Sequence, residues 1–373
     1  MNRPLRFGIN ALYLIPGGVG GTEIYLRNLL KALAAIDQEN HYYVFINHET
    51  DRGLLPAASN FHEIRQAVRA QNRPARLIWE QTILPMRVHT LKLDCLLNPG
   101  FTAPGIAACP NVTVFHDMQH KVHPEFFRWF DKPAWEFFLW VAARRSRYII
   151  ASSDRTHTDV LKYYKPGPEQ VRTVLLGVEE EFFCIANARG PIRPYLLCAS
   201  TLHPHKNIER LVRVFGQLLT QRPEYQLVLA GMRGFQTAAV ESTISELGLN
   251  QKVRITGWIP RLELYQLFQH AAAFVYPSTF EGFGLPVVEA MAAGVPLACS
   301  NVEPLRSLTG NAAVHFSPTS EEEMLSAIQT VLDNPDHFAA AGRAQARQFT
   351  WTRCAEATLR TMIDAAQRSK SSS

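Results

Sequence analysis

The chain has 373 residues and a mass of 42.0 kDa, enough for about two domains that each bury a core. Apolar residues make up 47% and charged residues 19%, which excludes wholesale disorder, and no apolar run reaches the ~20 residues that a membrane span needs. The net charge of +5 is too small to imply a nucleic-acid binder, yet residues 1–175 carry +6 and the remainder −1, so the first half suits an anionic partner such as a membrane surface.

In chain order, residues 5–14 predict a strand that runs into a turn rich in glycine (Gly17, Gly18, Gly20, Gly21). Residues 22–35 place Ile24, Leu29, Leu30 and Leu33 at helical spacing, with Thr22 as the cap. Strands are expected at 42–46, 93–97, 112–115, 148–151 and 171–176. Residues 50–87 read as variable loops. A second cycle starts near Pro194, with strands at 195–199, 226–230, 253–256, 273–276, 296–298 and 313–315. Helices such as 207–221 and 237–247 lie between them. Residues 185–194 hold Asn187, Gly190, Pro191 and Pro194 and read as a linker. The last helix, 350–366, starts at Thr350 and leads into a frayed SKSSS tail.

Strands that alternate with helices predict an α/β protein with two Rossmann-like domains, whose parallel sheets face a deep interdomain cleft. The expected limits are 1–185, 186–349, and a terminal segment 350–373. The six cysteines (Cys95, Cys109, Cys184, Cys198, Cys299, Cys354) show no metal or redox spacing and suit a reducing compartment. The opening MNRPLRFGIN has no signal-like apolar stretch, so a cytoplasmic location is expected. In doubly wound folds ligands bind beyond the C-terminal ends of strands, so chemistry is sought in the loops that follow them.

The most informative segment is YPSTFEGFGLPVVEAMAAGVP, from Tyr276 to Pro296. A strand ends at Tyr276, Pro286 suits a first helical turn, and Gly294 suits the helix end. The loop Glu281-Gly282-Phe283-Gly284-Leu285 then lies at a helix N-terminus. There free N–H groups and the dipole hold phosphate or orient sugar hydroxyls. Glu289 falls roughly one turn into that helix, where its carboxylate can accept from a ribose diol. The competing reading is a plain turn followed by a solvated glutamate.

A second segment is CASTLHPHKN, Cys198 to Asn207. Lys206 stands at a helix start, where the dipole disfavours a cation unless an anion joins it. A third is PGGVGGTE, where Gly20 and Gly21 open a helix and their amides can face an anion. It is not G-x-G-x-x-G, and the second strand ends in Asn47 rather than an acid, so a dinucleotide oxidoreductase is disfavoured. A fourth is VTVFHDMQHKVH. His116 and Asp117 end a strand there, Asp117 reading equally as a general base or a structural cap, while His116, His120 and His123 also have helix-like metal-ligand spacing. Last, residues 126–148 are rich in aromatics and end in Arg144, Arg145 and Arg147. They read as a core helix or as a membrane-facing surface.

The pattern E-G-F-G-L-P-V-V-E-A-M-A-A-G-V-P resembles the Glu–seven–Glu motif of retaining glycosyltransferases with two Rossmann-like domains, family four in the GT-B superfamily. The resemblance extends over nearly the whole chain. It implies that Glu281, with Phe283, Gly284 and Leu285 through the loop backbone, contacts the transferred sugar, and that Glu289 binds the ribose. It implies Lys206 on the diphosphate, with Gly20 and Gly21 approaching from the opposite wall and His116 near the reaction centre. Where the family has arginine, this chain has Thr201, so one of two usual cations is missing. The T-L-x-P-x-K-N variant is similar to bacterial mannosyltransferase-like members, which points toward a GDP-sugar. The implied reaction retains anomeric configuration and needs no metal or other cofactor. The implied acceptor is a saccharide or a lipid-linked saccharide, with peripheral membrane contact through the basic first half and no nucleic acid. The last helix is expected to cross back onto the first domain. A sugar-nucleotide epimerase and a non-catalytic nucleotide-sugar-binding protein share these features.

Overall fold

The computed structural model describes residues 3–18, 20–126, 132–188 and 190–370. Among them the chain forms two compact units, residues 1–177 with 350–373 and residues 178–349.

The first unit is built on a parallel sheet of order β3-β2-β1-β4-β5-β6-β7. Its strands are β1 (Arg6–Asn10), β2 (His41–Ile46), β3 (Phe61–Arg65), β4 (Cys95–Asn98), β5 (Asn111–Phe115), β6 (Ser146–Ala151) and β7 (Val171–Thr173). The central strands are buried on both faces; β4 and β5 are buried at every position, as a sheet covered on both sides requires. The order reverses between β1 and β4, the switch point at which such sheets bind ligands.

β1 stops at Asn10 rather than running to Leu14. The Asn10 side chain turns to Asn98 (3.1 Å) and Glu80 (3.0 Å), and the next residues form a turn. The first helix, Gly21–Ile36, is capped by Gly20 at φ 58°, so Thr22 lies inside it instead of capping it. Within 50–87 the structure holds β3 and the helix Arg73–Thr90, which carries Pro85 in its interior. An internal proline normally argues against a helix, and tertiary packing of Leu77, Leu84 and Val88 overrides it here.

The second unit holds β8 (Arg193–Ala199), β9 (Gln226–Ala230), β10 (Val253–Gly257), β11 (Ala271–Tyr276), β12 (Leu297–Ser300) and β13 (Val314–Phe316), in the order β10-β9-β8-β11-β12-β13, all parallel. Its switch point lies between β8 and β11.

The two compact units divide at Gly177/Val178. The helix Glu180–Asn187 packs on the helices Arg261–His270 and Leu285–Ala292 of the second unit, so part of the expected linker is ordered secondary structure. The last helix, Trp351–Lys370, packs on Gly21–Ile36 and on β4, β5 and β6. Thr350 caps it, its hydroxyl accepting from the Arg353 amide (3.2 Å). Gly177 lies against the Trp351 backbone so closely that a Cβ would collide with it.

The aromatic segment forms the helix Lys132–Arg145; residues 127–131 lie outside the described residues. Leu139, Ala142 and Ala143 join a core with Phe115, Ile149 and Ala151, while Phe137 and Trp140 are exposed. The core-helix reading therefore holds for Leu139, Ala142 and Ala143. Among the described residues no helix is long and apolar enough to cross a membrane.

Candidate active site

In the second unit the loops that leave β8 and β11 are tied together. The His205 carbonyl accepts from the Thr279 amide (2.7 Å) and from the Ser278 hydroxyl (3.3 Å). Asn207, in left-handed backbone at φ 57°, donates through its side-chain amide to the carbonyls of Pro277 (3.1 Å) and Pro318 (2.8 Å). These bonds hold the Pro204–Lys206 turn beside the Glu281 loop at the switch point of the sheet.

Lys206 and Glu281 meet there. Lys206 Nζ lies 2.5 Å from Glu281 Oε1 and 3.0 Å from the Tyr276 hydroxyl. The Ser278 hydroxyl donates to the same carboxylate oxygen (2.5 Å). Glu281 is 8% exposed. Burial, reinforced by the charge of Glu281, pushes the Tyr276 phenol well above its usual range, so it stays neutral. A buried charge pair of this kind is stable only while both partners are satisfied.

The helix Leu285–Ala292 starts at Gly284, whose φ of 104° is a left-handed conformation that suits glycine. Pro286 sits in the first turn, where its missing N–H costs nothing. Phe283 is buried and meets Phe349 edge-on at 6.2 Å, which anchors the loop from below. Leu285 is buried as well. Thr201 is half-buried in the turn after β8, and its carbonyl accepts from His203 N (2.8 Å).

Glu289 is 4% exposed and is not a solvated helix residue. Its Oε1 accepts from Arg261 Nη2 (2.5 Å). Arg261 also bonds Glu179 through Nε (2.7 Å), and the Tyr265 hydroxyl donates to Glu179 (3.0 Å). Burial raises the Glu289 carboxyl above the ordinary range, with Arg261 pulling it back down. Burial works against the Arg261 charge too, but Glu289 and Glu179 together hold it firmly protonated. Arg261 and Glu179 are absent from the sequence-derived set. Arg261 stands 28 residues from Glu289 and 82 from Glu179, and Glu179 opens a run of three glutamates with nothing to single it out.

In the first unit Gly20 and Gly21 open the helix Gly21–Ile36. The loop before them is closed by Glu23, which accepts from the Gly17 amide (2.8 Å) and pairs with Arg27 (2.8 Å). His116 follows β5 and packs edge-on against Tyr25 and Phe101. Its Nε2 lies 2.9 Å from the Pro99 carbonyl. A carbonyl only accepts, so Nε2 carries the proton and the neutral ring presents Nδ1 as an acceptor. Burial pushes the imidazole down to about 4, against the smaller opposing effect of the Pro99 bond. Asp117 accepts from the Gln119 amide (2.9 Å), as a turn cap does. His120 bonds the Tyr164 hydroxyl (2.9 Å) and His123 bonds Glu125 (3.0 Å), so the three histidines have separate partners. Among the described residues no three His, Cys, Asp or Glu side chains are grouped to hold a metal.

The profile described as glycosyl transferases group 1 matches residues 186–348, and that of glycosyltransferase family 4 matches residues 19–182. The chain is 29% identical over 266 residues to O-antigen chain mannosyltransferase B of Escherichia coli, covering 66% of this chain and 68% of that protein. It is 29% identical over 264 residues to the MMP alpha-(1->4)-mannosyltransferase of Mycolicibacterium hassiacum, covering 66% and 63%. The matches thus span about two thirds of those relatives. Among solved structures, that of Anabaena HepE in complex with UDP-glucose superposes with a TM-score of 0.74 at 19% identity, covering 96% of this chain and 100% of that one.

Proposed function

The chain belongs to the group 1, family 4 glycosyltransferases of GT-B fold, and from that premise we propose that it is a retaining hexosyltransferase for cell-surface polysaccharide or glycolipid synthesis. The donor is a nucleoside diphosphate sugar. The mannosyltransferase names of its relatives favour a mannosyl group, and so GDP-mannose, over a UDP-sugar such as the one bound by HepE. The observation that carries the reading is the Lys206–Glu281 pair at the start of the Leu285–Ala292 helix, with Glu289 buried farther along it.

On this reading the ammonium of Lys206 and the free amides at Gly284 and Leu285 neutralise the leaving diphosphate. Thr201 offers no charge, so Lys206 carries more of that task. Glu281 and the Phe283 and Gly284 backbone orient the sugar, and Glu289 receives the ribose hydroxyls. Gly20 and Gly21 add amides toward the diphosphate, His116 contacts the sugar through its neutral ring, and Asp117 stands on the acceptor side. The anomeric C1–O bond to phosphate breaks, and a new C1–O bond forms to the acceptor hydroxyl on the same face. The acceptor proton passes to the departing phosphate oxygen. Positioning and electrostatic stabilisation supply the acceleration, with no metal and no covalent nucleophile.

The acceptor is a saccharide or a lipid-linked saccharide. Exposed Ile78, Met86, Phe137 and Trp140, with Arg144, Arg145 and Arg147, support peripheral contact of the first unit with an anionic membrane, from the cytoplasmic side. A thermal-shift panel of GDP-, UDP- and ADP-sugars tests the donor, because ligand binding to the native state raises Tm. Product analysis with a lipid-linked glycan acceptor tests the transfer. Conversion of the donor without an acceptor overturns transfer in favour of epimerisation, and stabilisation without turnover leaves a binding protein.

A further inference from the structure

The loop that leaves β4 contains a strained turn. The Thr102 amide donates to the Gly100 carbonyl (2.9 Å), and Phe101 between them has φ 70°. A three-residue turn closed by that bond, with a positive φ at its centre, is rare and strained, and a bulky residue takes the conformation at a cost that glycine avoids. Both flanks of the turn are fixed. Before it, the Asn98 side chain accepts from Asn10 (3.1 Å) and donates to Asn111 (3.3 Å), all three residues being buried. After it, the Thr102 hydroxyl donates to Glu80 (2.9 Å). A Cβ on Gly100 would strike the Tyr13 ring, so the turn is closed in on that side too. Strain persists where neighbours over-determine it, and it clusters at functional sites.

This turn converges on His116. Pro99 supplies the carbonyl 2.9 Å from Nε2, and Phe101 sets its ring edge-on to the imidazole, with centroids 5.3 Å apart and planes at 71°. Tyr25, on the helix Gly21–Ile36, makes a second edge-on contact at 4.8 Å. The backbone of His116 is held separately, its carbonyl accepting from the hydroxyls of Ser152 (2.8 Å) and Thr156 (3.3 Å). One hydrogen bond at Nε2 fixes the tautomer but leaves the ring free to tilt about it, and the aromatic edges remove that freedom. Phe101 also meets Phe115 and Trp135, so the core braces its ring. An ordinary negative φ at residue 101 would aim the ring elsewhere, so the strained turn is what delivers it to the histidine.

We propose that Phe101 is a positioning residue. The turn Gly100–Thr102 holds its ring against His116, so that the free Nδ1 of the imidazole keeps one orientation toward the sugar of the donor. The effect on turnover rests on the role given to His116 in the glycosyltransferase reading above, whereas the strained turn and its contacts do not.

The test measures GDP released from GDP-mannose, or turnover of another sugar nucleotide of the thermal-shift panel if that one stabilises the chain. Phe101→Leu keeps apolar bulk and Phe101→Gly accepts the φ, and both remove the ring. Each is expected to lower kcat about 10- to 100-fold while the donor KM changes less than about twofold, at a temperature well below Tm. In a His116→Gln background neither should lower kcat further, because the ring then has nothing to hold. With ¹⁵N-labelled histidine, the wild type should show His116 as one sharp set of signals with Nε2 protonated, identified by their loss in His116→Gln. In the Phe101 variants that set should broaden or split. An unchanged kcat, an equal loss in the His116→Gln background, or an unchanged histidine spectrum overturns the proposal; a purely structural Phe101 lowers Tm and moves neither the coupling nor the spectrum. Should Phe101→Gly fail to fold, Phe101→Leu carries the comparison. Full turnover by His116→Gln alone defeats the role given to His116, and the spectrum then still decides whether Phe101 holds the ring.

Discussion

Lys206 Nζ and Glu281 Oε1 lie 2.5 Å apart, a cation and an anion from loops 75 residues apart in sequence, closed into one contact. Each then compensates the charge of the other. Lys206→Ala should lower stability by about 3 kcal/mol, because a buried carboxylate loses its counterion. Combining Lys206→Met with Glu281→Gln should recover most of that loss, since no unpaired charge remains. Transfer should fall about 10²- to 10³-fold in Lys206→Ala, in Glu281→Ala and in the double variant alike. Denaturant titration beside turnover measurements separates the two effects.

Arg261 stands between Glu289 and Glu179 as the shared counterion of two carboxylates. Arg261→Met should destabilise the chain by about 3–5 kcal/mol at neutral pH. Glu289 already has a raised pKa, so without Arg261 it binds a proton more readily folded than unfolded. The deficit should therefore shrink as the pH is lowered from 8 to 5. Glu289→Gln, which keeps the volume and removes the charge, should weaken GDP or UDP binding about 10- to 100-fold with a small change in Tm. Calorimetry checks the affinity and a pH series of melts checks the charge.

His116 is held neutral, its pKa pushed down from 6.5 to about 4. Below 6.5 the unfolded chain takes up a proton that the folded chain refuses. This residue's contribution to stability therefore falls as pH drops from about 6.5 to 4 and is flat above. His116→Gln has no such titration. The stability difference between wild type and variant should change across that window and be constant from pH 7 to 8. A constant difference from pH 4 to 8 would show that the ring is not held neutral.

Gly284 holds φ 104° at the start of the helix that carries Glu289, and a Cβ there would press on Leu305. Gly284→Ala should cost about 1–3 kcal/mol and disturb the loop amides. Donor binding should weaken more than the stability loss alone explains, as titration at a temperature well below Tm can show.

The parts of the chain that could be read in advance are those where local chemistry and fold agree. Apolar runs bounded by glycine and proline located twelve of the strands, and Gly284, Pro286 and Gly294 located a helix and the loop before it. Glu281 and Glu289 follow from that placement. Arg261 and Glu179 do not, because their meaning lies in a contact between distant elements, and an exposed-looking arginine followed by Leu-Glu-Leu carries no local mark. The helix Arg73–Thr90 was hidden by Pro85 in its interior, and β3 by the polar His62, Glu63 and Arg65 that fill this edge strand.

The closing helix Trp351–Lys370 completes the first unit, against which it packs at β4, β5, β6 and Gly21–Ile36. A ribosome therefore releases the second unit as one uninterrupted stretch before the first has received its final element. The earlier half must wait, with an apolar flank uncovered, until the later half has emerged. Synthesis stalled or truncated near residue 349 would yield a finished second unit tethered to an unfinished neighbour, a species prone to chaperone capture and proteolysis.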